Sequence, residues 1–192
     1  MADPVKAALR AEIRARRDGY VLALSAAERA AQERRAADHA WHLIGNAHTI
    51  ALYIALGSEM SCAPLIVRAR AAGRVIVLPH VVARAEPIRF LRWDADVPLE
   101  QGWYGLSQPP ADAAEIVPDI VITPLLGFDS QLWRIGQGAG FYDRAFSALP
   151  LTQKIGLAWA VQHCEKVPRD RWDERLDAIA TEQGIIEGTP ES

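Results

Sequence analysis

The spacing of apolar and polar positions changes character along the chain. Near the N-terminus, in KAALRAEIRARR, Leu9 and Ile13 stand four apart while Lys6, Arg10, Arg14 and Arg17 form a basic stripe, which predicts an amphipathic helix. Ser25 with Glu28 in SAAE is a capping box that opens a second helix, ending near Gly45. Beyond it the rhythm shortens. TIALYIAL (49–56) is an apolar run with little alternation, as expected of a strand covered on both faces. CAPLIVRARAAG predicts a helix stopped by Gly73, VIVLPHV a second buried strand, and the alternating IRFLRW (88–93) a more exposed one. Residues 94–118 are rich in proline and polar or acidic groups and predict a long functional loop. DIVITPLLGF (119–128) is a third buried strand. A glycine-rich loop, a helix from about Phe141 to Leu149, and strands at KIGLAWA (154–160) and LDAIATEQGII (176–186) follow. Strands alternating with helices predict an α/β fold: a mainly parallel, Rossmann-like sheet covered by helices on both faces. No repeat or linker divides the chain, so one domain over 1–192 is expected.

Composition narrows the partners. Half of the 192 residues are apolar and 23% are charged, with a net charge of −3. Such a field attracts neither nucleic acid nor an anionic membrane, so any anion site must be built locally. Cys62 and Cys164 are too far apart for a metal-ligand spacing and suggest a reducing compartment. The first residues lack the apolar run of a signal peptide, and no run has the length of a membrane span. A soluble, cytoplasmic monomer is expected.

The candidate chemistry lies in RIGQGAGFYDR (134–144), with Gly136, Gly138 and Gly140 at alternate positions ahead of Asp143 and Arg144. Closely spaced glycines let backbone N–H groups approach an anion, and a following helix N-terminus adds partial positive charge. The spacing is neither a dinucleotide fingerprint nor a P-loop, and on glycines alone a tight loop with no ligand explains it equally well. Asp143 and Arg144 tilt the reading toward phosphate, whose sites combine a Mg2+ ligand with a cation. His39 and His42 neighbour each other on a helix, but with His48 they lack the spacing of a metal site. Trp41 and Trp159 read as core; Trp133 and Trp172 are expected to flank the site.

PLLGFDSQLWRIGQGAGFYDRAF (124–146) resembles the signature of the 5-formyltetrahydrofolate cyclo-ligase (5,10-methenyltetrahydrofolate synthetase) family, R-L-G-x-G-x-G-[FY]-Y-D-R. KAALR, SEMSCAPLI (58–66), YGLSQPP, KIGLAWAVQ (154–162) and WDERLDAIATE (172–182) match further family blocks in order. The resemblance implies closure of 5-formyltetrahydrofolate to the methenyl form, with ATP and Mg2+ as cofactors and reduced folate as substrate. It implies Lys6, Arg10 and Arg144 as phosphate ligands, Arg144 with Asp143 forming the catalytic pair. Arg134, Gly136, Gly138, Gly140 and Tyr142 form the nucleotide loop. Asp143 and Asp177 hold Mg2+, with Asp173 a weaker candidate. Glu59 accepts the pterin edge and Tyr104 lies against the folate rings.

The chain departs from the family at Gln137, Ala139, Cys62 and Leu125. Ala139 would be strained if its φ were positive, and Cys62 in place of threonine could remove a helix cap. These departures keep a second reading open, a non-catalytic folate- or nucleotide-binding paralogue. A phosphosugar isomerase or CoA-transferase-like enzyme of similar fold lacks its glutamate motif here and leaves the KAALR block unexplained.

Overall fold

The structure is a computed structural model and describes residues 3–83 and 86–188. Asp3 opens α1 (Pro4–Ala23), its Oδ1 accepting the Val5 N–H at 2.8 Å. The Ser25–Glu28 capping box forms as expected and starts α2 (Ala26–Ile44), which stops at Gly45 with φ +53°. β1 (Thr49–Ala51), α3 (Ala63–Ala71) and β2 (Val75–His80) follow. Cys62 supplies no side-chain cap to α3; Ser61 Oγ accepts the Ala63 N–H at 3.1 Å instead. After β3 (Arg89–Arg92) the 94–118 segment is more ordered than a loop. It carries the hairpin β4 (Glu100–Gln101) and β5 (Ser107–Gln108), and Arg92 N donates to Ala114 O at 2.7 Å.

β6 (Ile120–Pro124), β7 (Gly127–Phe128), β8 (Arg134–Ile135), α4 (Phe141–Ala148), β9 (Gln153–Leu157), β10 (Ala178–Thr181) and β11 (Gly184–Glu187) complete the chain. Four expected strands are shorter or divided, the 154–160 run ending at Leu157 ahead of a turn at Ala160–Gln162. The 49–56 run leaves the ladder after Ala51, and Tyr53 OH closes the following loop on Met60 O at 2.5 Å. The 119–128 run breaks at Pro124, which has no N–H to carry a ladder on, and resumes as the separate β7–β8 hairpin. The 176–186 run folds back on itself as the antiparallel pair β10–β11.

One seven-stranded sheet runs β11-β10-β9-β6-β1-β2-β3, its five central strands parallel and both edge strands antiparallel. Strand order reverses between β1 and β6. A crevice opens beyond the carboxyl ends of strands at such a point, and ligands bind there. α2 and α3 cover one face, Ala36, Ala40, Leu65 and Ala69 packing on Ile50, Ile76 and Ile120. α4 covers the other, Ala145 and Phe146 packing with Ala51, Val121 and Ile179. Trp159 is fully buried and Trp41 packs against the first core.

α1 lies across the β7–β8 hairpin through Ile13, which packs with Leu126, Ile135 and Val167. A Cβ at Gly127 would stand 2.4 Å from Ile13 Cδ1, so a larger residue there would force Ile13 to shift. This approach brings the basic stripe of α1 over the glycine loop. Among the described residues no helix is long and apolar enough to cross a membrane.

Candidate functional site

The glycine loop spans the gap between β8 and α4. Gly138 (φ +101°) and Gly140 (φ +66°) adopt backbone conformations that L side chains rarely adopt, whereas Gly136 does not. Ala139 is absent from the positive-φ positions, so the alanine is unstrained. With it goes the conformational argument for a damaged loop. Gly140 offers α4 no side-chain cap, which leaves the first N–H groups of that helix without one. Arg10 Nε donates to Gly136 O at 2.9 Å and Arg14 Nη2 to Gln137 Oε1 at 2.6 Å. Arg144 Nη1 donates to Ala139 O at 3.1 Å, and its guanidinium lies over Phe141.

Beside the loop lies an ion-pair cluster. Lys6 is buried, and its Nζ meets Asp173 Oδ2 at 2.6 Å and Asp170 Oδ2 at 2.7 Å. Burial alone would lower the Lys6 pKa, but hydrogen bonds and charge from the two aspartates outweigh it and raise it. Arg134 is also buried, with Nη1 and Nη2 on Asp143 Oδ1 at 3.0 and 2.9 Å. Burial lowers its pKa and Asp143 opposes the shift. The Glu174 N–H adds a third donor to the same oxygen at 3.3 Å. Arg134 therefore holds Asp143 in place through Nη1 and Nη2, while its Nε has no partner among the described residues.

The carboxylates suit Mg2+ in a specific way. Asp143 is pinned through Oδ1 alone, and Asp173 through Oδ2 alone, which also accepts the Asp170 N–H at 2.8 Å. Each keeps one oxygen without a protein donor among the described residues. Those residues hold no group of three or more His, Cys, Asp or Glu around a metal position. Mg2+ needs none, since it takes one or two carboxylates, substrate phosphates and water. Asp177 does not join them. It is exposed at the amino end of β10, where its Oδ2 accepts the Lys154 N–H at 2.6 Å. Ligand crevices lie at the carboxyl ends of strands, whereas Asp177 stands at the amino end of β10.

At the carboxyl end of β1, Glu59 stands in a cavity of about 420 Å3 whose wall includes Arg17, Asp18, Ser58 and Gln137. That size lies within the range of about 300–1,000 Å3 for small-molecule pockets. Glu59 Oε2 accepts the Leu56 N–H at 2.9 Å. Burial raises its pKa, while that bond, Arg17 and Gln137 hold it down. Arg17 is itself buried, with one guanidinium nitrogen, Nη1, lacking a partner. Burial, then the Glu59 charge, push the Tyr142 hydroxyl well above the usual phenol range, which keeps it neutral. Burial likewise pushes the Cys62 thiol up to about 12, so it is inert.

Tyr104 falls in the turn Trp103–Gly105 between β4 and β5, and its side chain lies outside the described residues. Trp172 is exposed beside Asp173, while Trp133 packs under Arg169. His39 Nδ1 bonds to Thr181 O at 2.8 Å. Sequence reasoning missed Asp170 and the cavity roles of Arg17 and Gln137. In RDRWDERLD the acids alternate with arginines as on a solvated surface, and only the α1 contact singles out Asp170.

A model of the 5-formyltetrahydrofolate cyclo-ligase family matches residues 2–182. A 5-formyltetrahydrofolate cyclo-ligase of Escherichia coli is 33% identical over 149 residues, covering 73% of this chain and 81% of that protein. One of Haemophilus influenzae is 32% identical, covering 80% and 87%. Among solved structures, a 5,10-methenyltetrahydrofolate synthetase from Aquifex aeolicus superposes with a TM-score of 0.77 at 25% identity, covering 98% and 95%. Another from Mycoplasma pneumoniae gives 0.73 at 24% identity, covering 92% and 98%.

Proposed function

The chain belongs to the 5-formyltetrahydrofolate cyclo-ligase family, and from that premise we propose that it couples closure of 5-formyltetrahydrofolate to 5,10-methenyltetrahydrofolate with ATP hydrolysis in the presence of Mg2+. That ring closure makes it a carbon–nitrogen ligase of folate one-carbon metabolism. One observation carries the local reading: Gln137 of the glycine loop also forms a wall of the Glu59 cavity, so the anion loop and the organic cavity adjoin.

The formyl oxygen on N5 attacks the γ-phosphate and ADP leaves. N10 then attacks the activated carbon and gives up its proton to the departing phosphate, which takes the formyl oxygen with it as the methenyl bridge forms. Such a reaction asks mainly for positioning and charge neutralisation. The Glu59 carboxylate accepts two N–H groups from the amino-pyrimidine edge of the pterin, and Tyr104 lies against its rings. The loop N–H groups and the open α4 terminus hold the phosphates, with Arg10 and Arg144 supplying charge. Asp143 and Asp173 would hold Mg2+, which would neutralise phosphate charge. Lys6 joins the phosphates by leaving one of its aspartates. The whole chain, 1–192, acts as one catalytic unit, a cytoplasmic monomer that needs neither nucleic acid nor membrane.

The test is absorbance of the methenyl product in the near ultraviolet. Product should form only with ATP and Mg2+ together, with ADP and phosphate released in step. Product without ATP, or none from a folded sample that binds nucleotide, sinks the reading.

A further inference from the structure

Gln137 stands at the tip of the glycine loop between two glycines, and its side chain is held by α1. Its Oε1 accepts from Arg14 Nη2 at 2.6 Å. One turn earlier on α1, Arg10 Nε donates to the carbonyl of the preceding residue, Gly136, at 2.9 Å. α1 thus grips the loop at consecutive residues, once through backbone and once through the Gln137 side chain. The same side chain walls the cavity that contains Glu59 and Arg17. With the amide oxygen engaged by Arg14, the group left to face the cavity is the NH2, a donor. The acceptor there is the Glu59 carboxylate, whose pKa Gln137 and Arg17 both hold down against burial.

We propose that Gln137 is a positioning residue that couples the two substrates: an anion drawn onto the glycine loop shifts the amide donor beside Glu59, and so changes the affinity of the cavity for its ligand. The inference rests on the cyclo-ligase reading for the identity of the ligands, while the linkage itself follows from the shared side chain. Coupling of this kind is reciprocal, so folate in the cavity must alter nucleotide affinity by the same factor.

The experiment is calorimetric titration of 5-formyltetrahydrofolate into the full chain, with and without saturating Mg2+–ADP, which cannot drive the chemistry. The unmodified chain should show folate dissociation constants that differ by about fivefold or more between the two conditions. Gln137→Ala should bring the ratio to one with an unchanged melting temperature, a result that simple loosening of the fold would not give. Gln137→Glu keeps an oxygen for Arg14 but offers Glu59 no donor, and should abolish the coupling equally. A ratio of one in the unmodified chain, or a full ratio retained in Gln137→Ala, overturns the proposal. A chain that makes methenyl product without coupling loses this inference alone; one that binds neither ligand loses the cyclo-ligase reading as well.

Discussion

At the scale of single residues, the three loop glycines separate two physical demands that one sequence pattern conflates. Gly138 and Gly140 are required by backbone conformation, and a side chain at either costs about 1–3 kcal/mol where the strained geometry is kept. Gly136 is neither in the positive-φ region nor crowded, so an alanine there fits the free protein. Gly136→Ala therefore isolates ligand approach. It should leave the melting curve unchanged while weakening ATP–Mg2+ binding in calorimetry, whereas Gly138→Ala should affect both. Normal nucleotide binding by Gly136→Ala would confine the glycines to chain geometry. Ala139→Gly relieves no strain and should not improve binding.

Lys6 makes a second residue-scale prediction. Its removal leaves Asp170 and Asp173 facing each other without a cation. Breaking a fully buried pair costs about 3–5 kcal/mol, and the partial exposure of Asp170 reduces this to roughly 1–3 kcal/mol. Lys6→Ala should therefore melt lower even without ligand. Because the Lys6 pKa is raised, its stabilisation is fully present below the ordinary lysine value of 10.5 and fades only as alkaline pH passes through the higher folded value. Unchanged melting of Lys6→Ala would return the basic stripe to a solvated face.

At the scale of elements, what was legible in the sequence was what local physics decides. The α2 capping box, the Gly73 stop of α3 and the buried parallel strands all follow from side chains acting within a few residues of themselves. What escaped depended on distant partners. An apolar run does not reveal that Pro124 ends one ladder and that its remainder pairs in a separate hairpin, because the pairing partner lies beyond the loop. Asp173 and Asp177 are equivalent as letters. Only the fold separates them, by placing one against Lys6 of α1 and the other on the backbone of β9 at the opposite end of the sheet. The basic stripe of α1 likewise gave charge without direction. Its element-level consequence is testable: Arg10→Ala removes a charge-assisted bond to Gly136 O, worth about 1.5–3 kcal/mol. Hydrogen exchange of residues 136–140 should accelerate while the β9 and β10 amides stay protected. Uniform acceleration would mean that Arg10 supports the whole fold and has no special hold on the loop.

At the scale of the whole molecule, the crevice at the β1–β6 reversal sets folding and binding against each other at Glu59. The cavity raises the pKa of this carboxylate chiefly through burial. The free folded protein therefore takes up the proton more readily than the unfolded chain does. The ionised form is a cost to stability at neutral pH, relieved as pH falls through the folded pKa. Folate reverses the preference, since two pterin N–H donors require the ionised carboxylate, so binding releases a proton and weakens as pH falls across that window. Glu59→Gln tests both halves. It should bind 5-formyltetrahydrofolate more weakly at neutral pH by about 1.5–3 kcal/mol, the scale of a hydrogen bond to a charged group, or roughly ten- to a hundredfold. Its affinity should lose the pH dependence. Its unliganded stability should exceed that of the unmodified chain at neutral pH, and the difference should close as pH falls through the Glu59 titration. Calorimetry in buffers of different ionisation heat counts the proton directly. A folate affinity that titrates identically with and without Glu59 would remove this carboxylate from the pterin edge and leave its raised pKa a consequence of burial alone.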